Sequence, residues 1–264
     1  MTMYRRELLS LGILALVPQI RARAQAPAAL DGLDSFTRDL VAGNHILANE
    51  NVLDGYGHIS VRHPGNKDRF LLSRSLAPES VTAADIMEYN LDAVAVDPKG
   101  RTSYKERFIH GEIYRVRPDV NAVVHCHTPS LIPYSVTDVR LRPMYHQSAF
   151  IAAGVPVFEI RDVAGMTNML IETNRLGAAL ARRLADKPAV LMRGHGAVVV
   201  ADSIPNVVGR SIYLDLNARI QLQALQLIAP DKGPITALTP EEAQKYAASD
   251  NYSRAWELWK RKAK

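Results

Sequence analysis

The spacing of apolar residues changes along the chain, and these changes predict the elements. From 34 to 49 the apolar positions Phe36, Leu40, Val41, Ile46 and Leu47 recur at helical spacing, with Asp34 or Ser35 placed to cap. Residues 55–62 and 69–72 predict two strands joined by a turn at Pro64-Gly65-Asn66. A short strand is expected at 93–96, ending at Asp97-Pro98-Lys99-Gly100, then a helix from 105 to 115 that stops before Arg117-Pro118-Asp119. Further strands are expected at 122–127, 155–160, 189–192 and 197–201, and further helices at 169–184 and 205–228. A loop at Pro230–Pro234 and a helical segment from Pro240 to Trp259 complete the chain. No internal repeat interrupts this order. Strands and helices interleave irregularly, which predicts one α/β domain with a C-terminal extension.

Composition narrows the class. The chain has 264 residues, 47% apolar and 22% charged, which is ordinary for a globular protein and excludes a disordered or collagen-like chain. No apolar run reaches the ~18–20 residues needed to span a bilayer. The single cysteine, Cys126, cannot form an intramolecular disulfide. The net charge of +5 is concentrated at the ends. The first 24 residues carry +3 and the last five +4, which leaves −2 for the body between them. The basic balance is therefore not a nucleic-acid footprint.

The N-terminus reads as an address. Arg5-Arg6 precedes an apolar stretch from Leu8 to Ile20, and Ala22-Arg23-Ala24 follows as a small-x-small cleavage pattern. We read residues 1–24 as a twin-arginine signal cleaved after Ala24 and 25–33 as a flexible leader. The expected destination is the periplasm or beyond.

Chemistry concentrates at three places. His125 and His127 occupy positions i and i+2 of an expected strand, so they share a face, and paired imidazoles are good ligands for first-row metals. Two hydrogen-bonded core histidines would give the same pattern. His195 sits between Gly194 and Gly196, where flanking glycines let the backbone bend and a neighbour approach closely. Glu106 opens a helix, but Ser103-x-x-Glu106 has the form of a capping box, and that reading comes first on pattern alone. His110, one turn later, reads as structural.

Taken together, Glu106, Arg117-Pro118-Asp119, Val123-Val124-His125-Cys126-His127 and Gly194-His195-Gly196 resemble the class II aldolase/adducin family in order and separation. The resemblance runs from about Asp34 to Ala229. It implies a three-layer α/β/α domain with a central, largely antiparallel sheet, spanning 34–234, followed by a C-terminal helical extension at 235–264. It implies His125, His127 and His195 as ligands of a divalent metal, zinc first, with manganese, iron or cobalt as alternatives. It also implies Glu106 as acid/base or ligand, and a homotetramer.

Several residues depart from the sugar-phosphate aldolases of that family. His58 stands within Gly57-His58-Ile59-Ser60 where those enzymes have Gly-Asn-x-Ser. Arg74 lies in the stretch Leu72 to Pro78, where they have a phosphate loop, and Tyr104-Lys105 replaces Ser-Ser before the glutamate. Small hydroxyl and glycine groups suit phosphate, whereas cationic side chains suit a carboxylate. The segments 55–62, 106–110 and 191–196 resemble the branch of ring-cleavage-product and dihydroxyphthalate decarboxylases. The expected function is therefore a divalent-metal-dependent lyase that decarboxylates a β-keto or 2-hydroxy-3-carboxy-enoate acid through an enolate stabilised by the metal. Ser73, Arg74, His58, Tyr145 and His146 are the expected substrate contacts, the last two reaching the site from their own or a neighbouring subunit. The substrate would be a small carboxylated molecule. Other readings are a metal aldolase on an unphosphorylated hydroxy-keto acid, an iron oxygenase, and, ranked last, a non-catalytic adducin-like module.

Overall fold

The computed structural model describes residues 34–228, 234–247 and 252–263. The expected signal and leader (1–33) and most of the loop at 230–234 lie outside them.

A seven-stranded sheet forms the centre. Its strands are β1 (His58–Arg62), β2 (Arg69–Ser73), β3 (Ile86–Asn90), β4 (Ala122–Cys126), β5 (Val157–Phe158), β6 (Ala189–Met192) and β7 (Gly196–Ala201), in the order β3-β2-β1-β4-β7-β6-β5. Every pairing is antiparallel except β5 with β6. The central register sets His58 opposite His125 and Cys126 opposite Ala197.

The helices are α1 (Asp34–Asn49), α2 (Phe108–Val116), α3 (Ile132–Ser135), α4 (Arg161–Ala164), α5 (Asn174–Leu184), α6 (Ile204–Leu227), α7 (Pro240–Ala247) and α8 (Ser253–Lys262). The alternation of strand side chains divides the core into two layers. Ala122, Val124, Cys126, Ala197 and Val199 pack with apolar residues of α1, α6 and α8. Val123, Val190, Val198 and Val200 pack with Ile109 and Ile113 of α2 and Leu180 and Leu184 of α5. Strands β4, β6 and β7 are buried throughout, which explains their unbroken apolar runs. The result is helix, sheet, helix in three layers.

The C-terminal segment packs on its own chain. Tyr252, Trp256 and Trp259 are buried in the α1–α6 layer, and the Tyr252 ring lies against Gly209 of α6.

Four sequence expectations shift. The strand expected at 93–96 is a turn joined to the sheet by one bridge, Tyr89 to Ala95; the edge strand is Ile86–Asn90, where Met87 and Tyr89 bury alternately. Ala93 has φ +59, outside the strand range. The strand at 155–160 shortens to Val157–Phe158. The helix at 169–184 starts only at Asn174, where the Thr173 side chain accepts from the Leu176 N–H. The segment 240–259 is two helices, α7 and α8.

Candidate metal centre and its cleft

His125 lies in β4 on the face turned toward α2, because its neighbours Val124 and Cys126 face α1 and α6. His127 follows two residues on. His195 sits in the tight connection between β6 and β7, where Gly194 has φ +60, a backbone conformation open to glycine. A side chain at Gly196 would overlap the Cys126 carbonyl, so β7 can close on β4 only with glycine there. Glu106 stands in a single 3-10 turn (Lys105–Arg107) that leads into α2.

These four side chains converge. His127 Nε2 lies 3.1 Å from His125 Nε2 and 3.2 Å from His195 Nε2. Glu106 Oε2 lies 3.3 Å from His125 Nε2 and 3.4 Å from His195 Nε2. All four donor atoms fall within 4.8 Å of one another.

The opposite edges of the rings decide what this cluster is. His125 Nδ1 donates to the Ala197 carbonyl at 3.2 Å, His127 Nδ1 to the Asp54 carboxylate at 3.1 Å, and His195 Nδ1 to the Met169 carbonyl at 3.1 Å. With each Nδ1 carrying the proton, three Nε2 lone pairs point at one another across about 3 Å. That arrangement is repulsive unless a cation sits between them. A tetrahedral ion with ligands at about 2.0–2.1 Å separates them by about 3.3–3.4 Å, close to the distances found. The residues present fit a divalent metal.

The surroundings hold the donors in place. The Ile171 N–H donates to Glu106 Oε1 at 2.8 Å, leaving Oε2 for the cluster. Met169, with φ +70, turns its carbonyl toward His195. Asp54 accepts from the Tyr56 and Gly57 N–H groups, both at 2.9 Å, which fixes the carboxylate that His127 meets. Burial alone would raise the Glu106 carboxyl, but His125 and His195 outweigh it and hold the group well below the usual carboxylate range. Burial lowers His127, and His125 adds to the effect. At His195 burial works against the charged form, but the hydrogen bond and charge of Glu106 raise its pKa.

The cluster opens onto a cleft of about 320 Å³, lined among others by His58, Tyr104, Lys105 and Ser75. The capping box expected at Ser103 and Glu106 does not form. Ser103 Oγ instead accepts from the Tyr89 hydroxyl at 2.9 Å, and Glu106 turns inward. His110 is fully buried, as a structural histidine should be.

A match to the family described as the class II aldolase and adducin N-terminal domain covers residues 38–222. The chain belongs to the class II aldolase and adducin family. It is similar to the decarboxylase tropJ of Talaromyces stipitatus, with 39% identity over 85% of this chain and 92% of that one. It is also similar to the 3,4-dihydroxyphthalate decarboxylase of Arthrobacter keyseri, with 32% identity over 67% and 74%. The L-fuculose 1-phosphate aldolase of Glaciozyma antarctica has the same fold, with a TM-score of 0.68, 22% identity and coverage of 90% and 91%. This member of the family is an enzyme of the carbon–carbon lyase type, on its decarboxylase branch.

Other expected substrate contacts are not brought to the cleft within this chain. Arg74 Nε is held by Asp85 Oδ1 at 2.6 Å, and Arg74 does not line the cleft. The charge that suggested a carboxylate partner in the sequence has one in its own chain. Ser73 is fully buried, 3.4 Å from the Tyr104 hydroxyl. Tyr145 and His146 pack against Tyr213 of α6 and Tyr246 of α7, away from the cluster. Lys105 is the cation at the cleft wall, 3.4 Å from Glu172. Asp54, Met169 and Ile171 gave no sequence signal of their role.

Proposed function

We propose that the enzyme is a divalent-metal-dependent decarboxylase of a small acid bearing a keto or enol oxygen beside the departing carboxylate, with zinc as the metal. The observation that carries the reading is the convergence of three bare Nε2 atoms and Glu106 Oε2 at the end of a cleft, in a chain similar to named decarboxylases. His125, His127 and His195 would hold the metal, which when bound supplies Lewis-acid withdrawal of electrons from a substrate oxygen.

The chain's own groups then have distinct tasks. Lys105 pairs with a substrate carboxylate at the cleft wall. His58 meets a second polar group of the substrate. Glu106 Oε2 takes the proton of the enol hydroxyl and gives it to the carbon that bears the carboxylate, which yields the keto form. The bond to the carboxylate carbon breaks, CO₂ leaves, and its electron pair moves toward the keto oxygen. Glu106, protonated again by water from the cleft, gives that second proton to the carbon that CO₂ has left, so one carboxyl serves first as base and then as acid. Tyr104 and Tyr56 narrow the cleft and limit water around the carbanion.

Elemental analysis of purified protein, followed by CO₂ measurement with 3,4-dihydroxyphthalate and a set of β-keto and hydroxy-keto acids, tests this reading. About one metal per chain and chelator-sensitive CO₂ release are expected. Aldehyde release without CO₂ would assign the site to aldol cleavage, and oxygen consumption with bound iron to oxygenation.

A further inference from the structure

A line of buried polar groups runs between the sheet and α2. His58 Nδ1 lies 2.7 Å from His110 Nε2, His110 Nδ1 lies 2.6 Å from Ser60 Oγ, and Ser60 Oγ lies 2.8 Å from Tyr114 Oη. All four residues are buried. Residues 58 and 60 share the α2 face of β1, because Ile59 and Val61 face α1. The 2.7 Å approach of His58 Nδ1 to His110 Nε2 places one proton between two ring nitrogens, so one ring donates and the other accepts, and burial disfavours a charged form of either.

One proton per link leaves two possible directions. If His58 Nδ1–H donates to His110, then His110 Nδ1–H donates to Ser60. One hydroxyl proton is then buried with no acceptor: that of Tyr114 if Ser60 donates to it, or that of Ser60 if Tyr114 donates instead. In the other direction Tyr114 donates to Ser60, Ser60 to His110 Nδ1, and His110 Nε2–H to His58 Nδ1. Every proton between Tyr114 and His58 then has an acceptor, and the last, on His58 Nε2, is on the residue that lines the cleft, where solvent or substrate can accept it. A buried donor without one forfeits its hydration, whereas a tyrosine oxygen with an unused lone pair loses little. The second direction wins.

We propose that the Tyr114–Ser60–His110 chain fixes His58 as its Nε2–H tautomer, making it a hydrogen-bond donor to a substrate oxygen in the cleft. His58 lines that cleft with Glu106 and His127, and the ring edge opposite His110 carries the proton. Glu106 and His58 are therefore of opposite polarity: a carboxylate that accepts and an imidazole that donates. His110, Ser60 and Tyr114 act through His58 and are positioning residues. The donor role rests on the decarboxylase reading above; the tautomer does not.

A long-range ¹H–¹⁵N correlation spectrum of labelled, zinc-loaded protein at pH 7 tests the assignment, with signals identified through His58→Gln and His110→Gln. Both histidines are expected to show a protonated Nε2 and a bare Nδ1. A protonated Nδ1 on His58 overturns the proposal. Ser60→Asp replaces a hydroxyl with an acceptor and should reverse the chain. The His58 proton is expected to move to Nδ1, and kcat/KM for CO₂ release from 3,4-dihydroxyphthalate to fall at least tenfold at unchanged zinc content. Ser60→Thr keeps the hydroxyl and should keep the tautomer. A folded Ser60→Asp protein with Nε2–H still on His58 refutes the relay; if that variant does not fold, the parent spectrum still decides. The expected tautomer without CO₂ release from any acid refutes the decarboxylase reading alone. Full turnover by His58→Leu refutes the donor role.

Discussion

The Ile171 amide donates to Glu106 Oε1 at 2.8 Å across 65 residues of sequence, and this bond aims Oε2 at His125 and His195. One oxygen is anchored by backbone and the other is left for chemistry. Glu106→Gln keeps the shape and an acceptor for Ile171 but removes the charge and the exchangeable carboxyl proton. Turnover is expected to fall by about 10²–10⁴, with folding retained. Steady-state CO₂ release checks the first and circular dichroism the second.

Asp54 acts one step further out. It meets His127 Nδ1 and is itself held by the Tyr56 and Gly57 N–H groups. Those bonds and the charge of His127 overcome the effect of burial and keep its carboxyl below the ordinary range. Asp54→Asn weakens the hold on the His127 tautomer. Metal affinity is expected to drop by roughly 10–100-fold, as measured by competition with a chromophoric chelator. Unchanged affinity would mean that Asp54 only shapes its loop.

The contrast between these residues shows what the sequence can and cannot reveal. The shared face of His125 and His127 follows from strand periodicity, and the glycines around His195 mark a bend, so both were legible. The helix at 34–49 was legible with its bounds, because its apolar spacing is regular. The supporting groups were not. Met169 and Ile171 contribute a backbone carbonyl and a backbone N–H, which any residue type can supply. Arg74 misleads for the opposite reason. Its charge is visible in sequence, but its partner, Asp85, is 11 residues away and is met only through the fold. The edge strand was misplaced because Ala93–Val96 is an unbroken apolar run, whereas Ile86–Asn90 carries Glu88 and Asn90 and shows itself as the strand only through the burial of Met87 and Tyr89.

The twin arginine carries a separate expectation. We propose that the chain is exported through Arg5-Arg6 and the apolar stretch behind them. Substituting both with lysine keeps the charge but not the guanidinium pair. The double variant Arg5→Lys, Arg6→Lys is expected to accumulate uncleaved in the cytoplasm, while the parent appears in the periplasm shortened by 24 residues. Fractionation and intact-mass measurement read both outcomes.

Gly196 limits how closely β7 can approach β4. A Cβ there would overlap the Cys126 carbonyl and crowd His127 Cα at 3.1 Å. These are backbone atoms, so relief requires the strands to part next to two histidines of the cluster. Gly196→Ala is expected to cost about 1–3 kcal/mol and to lower Tm by several degrees in thermal unfolding. Metal content should fall with it, because His195 is displaced relative to His127.

His110 gives the stability a pH dependence whose direction follows from its burial. Its folded pKa lies at about 3, against an ordinary value near 6.5. Between those values the unfolded chain binds a proton that the folded chain does not, so stability is full above about pH 6.5 and declines as the pH falls. The slope contributed by one such group reaches about 1.4 kcal/mol per pH unit. His58, also held well below its ordinary range, adds a dependence of the same sign. Around His110 stand His58, Ser60, Tyr114 and the His125–Glu106 pair, and the charge of Glu106 partly favours its proton. His110→Gln removes one titrating group and leaves His58. Urea unfolding at pH 7, 6, 5 and 4 is expected to give a shallower fall in stability for that variant than for the parent, even if its stability at pH 7 is lower. Parallel profiles would show that His110 takes up its proton as readily in the folded protein as in the unfolded chain.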